Sequence, residues 1–292
     1  MRVLTLITIA AAAALAFAQD AATKANAQNT TSASKPATTA PNEERDGLHP
    51  LVKMTTTLGD IVLELNAEKA PITVDNFIQY AEDGFYEGTI FHRCIEGFMI
   101  QGGGFTPDME EKKEGVRGPI KNEWRNRLRN RRGTIAMART TDPDSATCQF
   151  FINVVDNQRL NMPTSGGAGY CVFGKVVEGM DVVDKIVSTE KIKHPKYPSN
   201  QAVTPKEPVV IQSVTLMSAY DRDAVKKLIA EQEARRAAVA AEQEQEKTRR
   251  AAEFKELLEK KEDKNGNKLQ STESGLQYVV LKEGDGPSPE KT

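Results

Sequence analysis

The segment FHRCIEGFMIQGGGF combines an arginine, a glutamine and several large apolar side chains in one short stretch. An arginine among apolar side chains is costly to bury unless its charge has a partner or a role. Alternate residues of a strand share a face, so Phe91, Arg93 and Ile95 are expected on one face. After a turn, Met99 and Gln101 are expected to share another.

The segment SATCQFFIN, at positions 145–153, shows the same alternation. Its strand places Gln149 and Phe151 on one face and Cys148 and Phe150 on the opposite one. Two such faces combine one arginine, two glutamines and several apolar side chains into an apolar pocket with a polar edge. That composition is typical of a site for a small ligand or a peptide.

The same residues also fit a purely structural interpretation. Arg93 would then belong to a buried ion pair. Phe98, Met99 and Phe151 would be ordinary core residues. The residue types alone leave both interpretations open.

The side chains of such a pocket must be held by strands, and strand patterns dominate the middle of the chain. LVKMTTTLGDIVLELN predicts two strands around a turn near Gly59, with Ile61, Leu63 and Leu65 on one face. Further strands are predicted at positions 89–100, 133–138, 148–154, 170–177 and 207–217.

Two helices interrupt the strands. APITVDNFIQYAEDGFY has helical spacing, with Thr73 able to cap the helix and Gly84 able to end it. GMDVVDKIVSTE, from Gly179, predicts the second helix. Many short strands with two helices favour a mainly β fold, a β-barrel with added helices, over an alternating α/β sheet.

Four motifs in this order and spacing, FHRCIEGFMIQGGGF, GTIAMART, DSATCQFFIN and YCVFGKVVEGMDVVDKI, resemble a cyclophilin-type peptidyl-prolyl cis–trans isomerase. The likeness is to the exported bacterial branch and runs from Leu51 to Met217. It implies a closed eight-stranded barrel capped by two helices, with the active face on its outside. It also implies an enzyme that needs no cofactor and no metal.

The resemblance also assigns roles to individual residues. Arg93 corresponds to the catalytic arginine and Gln101 to the residue that orients it. The substrate-binding positions are Phe98, Met99, Phe151 and Leu160 around the proline ring, Ala138, Arg139, Thr140 and Gln149 along the substrate backbone, and Tyr170 at the pocket edge.

A guanidinium suits this reaction. The barrier to peptide-bond rotation is about 18–20 kcal/mol and comes largely from amide resonance. When the bond twists, the proline nitrogen regains a lone pair and accepts a hydrogen bond. A guanidinium aimed at that nitrogen stabilises the twisted state more than either planar state, which is what catalysis requires.

Three positions depart from the family pattern. Arg159 stands where many members carry a rim tryptophan, so we expect weak inhibition by cyclosporin. Tyr170 replaces a common histidine, and its hydroxyl can still donate a hydrogen bond. Arg139 replaces a common asparagine; because that contact is mainly through the backbone, we expect the change to be tolerated.

The N-terminus predicts export. Residues 1–18 form an apolar run that ends in Ala-Phe-Ala, typical of a cleaved signal peptide. Residues 19–49 have almost no large apolar side chain and predict a flexible linker ahead of an isomerase domain at 50–218. The expected location is the periplasm, with the extracellular space or an uncleaved anchor as alternatives.

The C-terminal part has a different composition. Residues 219–264 are rich in Ala, Glu, Gln, Lys and Arg and predict a long charged helix. The sparse apolar stripe favours a spacer helix over a weak dimer through this helix. Residues 265–292 resemble the incomplete start of an FKBP-type isomerase domain. We expect this tail to be disordered, and a fragment of a longer fusion and a lost second domain both stay open.

Charge and special residues limit the partners. A net charge of −2 gives no case for nucleic acid or an anionic membrane. The three histidines match no metal-ligand spacing. Cys94, Cys148 and Cys171 flank apolar strand patterns, which predicts buried, inert thiols. The odd count in an oxidising compartment leaves at least one thiol free or paired between chains.

The expected clients are proline-containing unfolded or partly folded proteins, whose X–Pro rotation the enzyme would accelerate during folding. The alternative function is a non-catalytic chaperone or scaffold that holds proline-containing segments. The stretch KNEWRNRLRNRRG is either a solvated basic loop or a docking patch for acidic clients.

Overall fold

The computed structural model describes residues 47–163, 165–197, 201–260, 269–271 and 277–279. The predicted signal peptide lies outside the described residues, and so does almost all of the predicted linker.

The described chain is mainly β, as predicted. Its strands are β1 Leu51–Thr56, β2 Gly59–Leu65, β3 Arg93–Ile95, β4 Met99–Gly102, β5 Thr134–Met137, β6 Phe150–Asn153, β7 Val172–Glu178, β8 Lys191–Ile192, β9 Thr204–Pro205, β10 Ile211–Leu216, β11 Leu269–Ser271 and β12 Gln277–Val279. The α-helices are α1 Pro71–Glu82, α2 Met180–Ser188 and α3 Arg222–Lys260.

Eight strands form one antiparallel sheet in the order β10-β1-β2-β7-β5-β6-β4-β3. This sheet curls into a half-barrel, so the expected closed barrel is wrong. Its two edges meet, among the described residues, only around an isolated bridge between Ile90 and Val210. Because β3 has three residues and begins beyond that bridge, it offers no continuous edge for β10 to pair with.

The main apolar core joins the inner face of the sheet to α1 and α2. Phe77 of α1 packs against Phe150 of β6 and Phe173 of β7, with ring centroids 5.7 and 5.3 Å away. Ile186 of α2 is fully buried in the same core. The expected capping of a barrel by these two helices stays a prediction.

The α1 helix begins without a side-chain cap of its own. Pro71 occupies its first turn, and the residue before it, Ala70, has no capping side chain. The buried carboxylate of Glu123 accepts hydrogen bonds from the backbone N–H groups of Ile72 and Thr73, at 3.3 and 2.8 Å. The Thr73 hydroxyl donates to Glu123 as well, so the prediction that Thr73 caps the helix is wrong: Thr73 lies inside it, and Glu123 accepts from its first turn.

The first turns of α3 pack on the domain. Val225 is fully buried in the main core, and the Tyr220 hydroxyl donates to Asp75 of α1 at 2.8 Å. Further along, the Gln232 side chain lies beside Glu123 and opposes the rise in its pKa. Arg236 donates to the backbone carbonyl of Asn122.

The rest of α3 is exposed from residue 237 to residue 256, except for half-buried Glu246. In the tail, β11 and β12 pair as a two-stranded antiparallel ladder. The FKBP likeness of this tail stays a prediction. No helix among the described residues is both long and apolar enough to cross a membrane.

Candidate active site

A cross-strand row on the outer face of the sheet carries the polar and apolar side chains of the site. Arg93 of β3 pairs with Gln101 of β4, and Gln101 pairs with Phe151 of β6. Phe151 pairs in turn with Ala136 of β5, which pairs with Val172 of β7. Directly opposed residues of antiparallel strands point to the same face, so this register alone aligns the row.

A pocket of about 230 Å³ opens at the arginine end of this row. Nine of the eleven predicted site residues line it: Arg93, Phe98, Met99, Gln101, Ala138, Arg139, Phe151, Leu160 and Tyr170. The other two do not line it. Gln149 accepts a hydrogen bond from Gln101 behind the pocket, and Thr140 is exposed and donates a hydrogen bond to Ser145.

The Arg93 guanidinium is held among polar and polarisable partners. Its Nη1 lies 3.4 Å from Gln101 Oε1 and 3.7 Å from Met99 Sδ, and its Cζ lies 5.8 Å from the Phe98 ring centroid. These neighbours fix the position of the guanidinium without neutralising its charge. The described residues hold no carboxylate within ion-pair distance of Arg93, so the site differs from the buried ion pair of the structural interpretation.

Gln101 links Arg93 to a second glutamine. Its Nε2 donates to Gln149 Oε1 at 3.0 Å, so the chain of contacts is Arg93–Gln101–Gln149. Gly104 is required for this arrangement, since a Cβ there would lie only 2.4 Å from Gln149 Cγ. Gly104 thus makes room for Gln149 beside the site.

The neighbouring histidine and cysteines take no part in the pocket. Burial, with a smaller contribution from the Arg93 charge, lowers the pKa of His92 to about 3. Burial raises the pKa of Cys94 to about 12 and also raises the pKa of Cys148 and Cys171. All three thiols are buried and unpaired, which makes them poor nucleophiles at neutral pH.

Strand alternation in the sequence gave the wrong face for one residue near the site and missed two residues beneath it. Phe91 lies in the main core and not on the face of Arg93, because β3 begins only at Arg93 and the alternation does not extend back. Ala136 and Val172 underlie the site together with Met99 and Phe151. The alternation in GTIAMA and YCVFG was the signal available for both.

The site is thus an outward arginine beside an apolar pocket on the outer face of a curled antiparallel sheet, which is the composition of a site for a small ligand or a peptide. Residues 51–216 match the family model described as cyclophilin type peptidyl-prolyl cis-trans isomerase/CLD. The chain belongs to this family, and it is an enzyme of the cyclophilin-type peptidyl-prolyl cis–trans isomerase class.

Three relatives illustrate the likeness. A peptidyl-prolyl cis-trans isomerase of Acinetobacter baylyi is 55% identical over 168 residues, covering 58% of this chain and 86% of the relative. Peptidyl-prolyl cis-trans isomerase B of Escherichia coli is also 55% identical over 168 residues, covering 57% and 99%. A crystal structure of a Cryptosporidium parvum cyclophilin-type isomerase is 26% identical with a TM-score of 0.48, covering 58% and 98%.

Proposed function

We propose that this isomerase lowers the rotation barrier by hydrogen bonding from Arg93 to the proline nitrogen. The supporting observation is the Arg93 guanidinium, which faces the 230 Å³ pocket and is fixed by Gln101. Since rotation makes and breaks no covalent bond, a positioned donor is sufficient for catalysis. The donor stabilises the twisted amide more than the planar amide, because only the twisted nitrogen has a free lone pair.

The apolar residues of the pocket hold the proline ring in this proposal. Phe151 and Met99 form its floor and are almost fully buried, while Phe98 and Leu160 form its half-buried walls. A ring held in this way cannot follow the rest of the substrate, so rotation is confined to the X–Pro bond. Ala138, Arg139, Thr140 and Gln149 are the proposed contacts for the substrate backbone, and Tyr170 is the edge donor.

We place the enzyme in the periplasm, acting on X–Pro bonds of exported proteins during folding. The N-terminal apolar run and its Ala-Phe-Ala end support this location. N-terminal sequencing of the mature protein tests it. A chain that begins at Gln19 is expected, whereas a chain that keeps residues 1–18 in the cell would contradict a cleaved signal.

The test of the mechanism is the Arg93→Ala variant of the full chain. Removing one preorganised donor of this kind is expected to lower kcat by about 10²–10³-fold. Exchange measurements by NMR on an Ala-Pro peptide detect this change, since the uncatalysed process takes about tens of seconds or more. Peptide binding should persist, because the apolar pocket is intact.

Arg235→Ala is the matched control, since Arg235 is an exposed arginine of α3 that does not line the pocket. It should keep nearly full activity. Equal activity in Arg93→Ala and the wild type would overturn the mechanism. Peptide binding without acceleration by the wild type would instead favour the non-catalytic holder.

A further inference from the structure

Residues 125–131 begin in a turn around Asn126 and Arg127 and are attached to the sheet by their even-numbered side chains. Asn126 Nδ2 donates to the carbonyl of Val172 at 2.8 Å, and Asn130 Nδ2 donates to the carbonyl of Tyr170 at 3.3 Å. Leu128, between them, packs on the apolar cluster beneath the proline pocket.

The odd-numbered side chains of this segment are four exposed arginines: Arg125, Arg127, Arg129 and Arg131. The side chains between them, at positions 126, 128 and 130, contact the sheet or its apolar cluster, so the arginines are left on the solvent side. In the sequence RNRLRNR, residues that contact the sheet (Asn126, Leu128 and Asn130) therefore alternate with exposed arginines.

Three of these arginines, Arg127, Arg129 and Arg131, line a groove of about 460 Å³. Lys175 also lines it, and the one carboxylate of the groove, Glu64, lies 3.0 Å from the Lys175 ammonium. Among the described residues, no carboxylate forms an ion pair with any of the three arginines. The adjacent Arg132 contrasts with them, because its guanidinium is paired with Asp184 at 2.7 Å. The groove therefore has a clear excess of positive charge.

The groove and the proline pocket share a floor. Leu128 and Val172 line the groove, and both belong to the apolar cluster that contains Met99 and Phe151 of the proline pocket. Tyr170, at the pocket edge, also has its carbonyl bound by the segment that carries the arginines. A polypeptide whose proline occupies the pocket could thus continue directly along the same face into the groove.

We propose that this arginine groove binds an acidic segment of the client polypeptide and so selects X–Pro bonds flanked by Asp or Glu. The inference rests on the proposed isomerase function of the neighbouring pocket. Continuity with that pocket favours a polypeptide over a nucleic acid. The described residues that line the groove also include no aromatic side chain on which a base could stack. Guanidinium groups suit carboxylates because they offer paired donors in a planar array.

Two pairs of peptides test this selection with the full-length protein. Each carries one Ala-Pro bond and about four glutamates on its N-terminal or C-terminal side, a span of about 13 Å when extended. The matched peptides carry glutamines instead. We expect one glutamate peptide to have a KM and a Kd about fivefold lower than its glutamine match, the scale of two exposed ion pairs. Added salt should abolish the difference as the Debye length falls to about 3 Å near 1 M.

The variant Arg129→Gln/Arg131→Gln should lose this preference and keep the wild-type rate on the glutamine peptides. Arg127 is left unchanged because its φ of 70° lies in the left-handed region, where a substitution also alters the backbone. The control variant Lys226→Gln/Lys227→Gln removes the same charge from exposed positions of α3 and should keep the preference.

The outcomes separate the two proposals. The groove proposal is overturned if the glutamine peptides are isomerised and the glutamate peptides are not preferred. It is also overturned if the preference survives in the Arg129→Gln/Arg131→Gln variant. Either result leaves the isomerase proposal intact. If no peptide is isomerised, the proposed function is overturned. The Kd values of the glutamate and glutamine peptides then still show whether the groove binds acidic segments. Tighter binding of a single-stranded oligonucleotide than of any glutamate peptide, lost in the same variant, would overturn the polypeptide assignment.

Discussion

Arg139 shows that a single departure from the family pattern has structural consequences. Its guanidinium lies 4.5 Å from the centroid of the Tyr170 ring and donates to the carbonyls of Ala168 and Gly169. A guanidinium can stack and donate at once, which a smaller asparagine could not do over the same reach. The side chain of Arg139 therefore supports the loop that carries Tyr170. The expectation that Arg139 contacts the substrate mainly through its backbone stays a prediction.

His92 is the residue whose protonation should make stability depend on pH. It is buried between the rings of Phe105 and Tyr197, with centroids 4.4 and 5.6 Å away, and its Nδ1 has no hydrogen-bond partner among the described residues. Its pKa falls from 6.5 to about 3, so the folded state resists a proton that the unfolded state accepts. Stability is thus full above pH 6.5 and is lost as the pH falls towards 3.

We expect the wild type to lose about 1.4 kcal/mol of unfolding free energy per pH unit through His92 within this window. Urea unfolding at about pH 6.5 and 4.5, compared with His92→Phe, isolates the contribution, since carboxylates titrate in both proteins. The wild type should lose about 2–3 kcal/mol more than the variant over that interval. Equal losses would show that His92 is protonated in the folded protein.

At the scale of elements, α1 shows why a local pattern can give the correct helix and the wrong cap. Pro71 begins the helix, as is common for proline in a first turn. The negative charge for its N-terminus comes from Glu123, about fifty positions further along the chain. Burial raises the pKa of Glu123, and the hydrogen bonds from Thr73 oppose that rise. No pattern within the helix itself could indicate a cap supplied from so far away.

The strands of the site were more predictable than the closure of the sheet. Alternation correctly placed Gln149 and Phe151 apart from Phe150, because period-two burial is a local property of a strand. Alternation gave the wrong face for Phe91, because this residue precedes β3 and does not follow the alternation of that strand. The open edge between β3 and β10 depends on long-range pairing, which a local pattern does not contain. The closed barrel had been inferred from the family resemblance.

At the scale of the whole molecule, α3 joins the compact domain to the C-terminal part of the chain. Its composition predicted a charged helix, and its weak apolar stripe gave little reason to expect contact with the domain. The few apolar residues at its start are nevertheless used: Val225 is fully buried, and Tyr220 and Ile229 pack around the core. A sparse stripe is sufficient here because Arg222, Gln232 and Arg236 reach Glu82, Glu123 and Asn122.

This docking predicts that the folded unit extends well beyond the family match, which ends at residue 216. A chain cut after Ser218 loses Val225 from the core, whose burial contributes about 1.5–3 kcal/mol. It also removes the partners of Asp75 and Glu82 on α1. A chain cut after Ala240 keeps all these contacts.

Urea unfolding of the two truncated chains against the full chain measures the difference. The chain ending at Ala240 should match the full chain, and the chain ending at Ser218 should be less stable by about 2–4 kcal/mol. In the full chain, Val225→Ala should reproduce part of that loss, which attributes it to core packing and not to chain length. Equal stability of the two truncated chains would show that α3 lies on the domain without stabilising it. Isomerase activity should persist in each truncated chain that stays folded, because all the described residues that line the proline pocket lie at or before Tyr170.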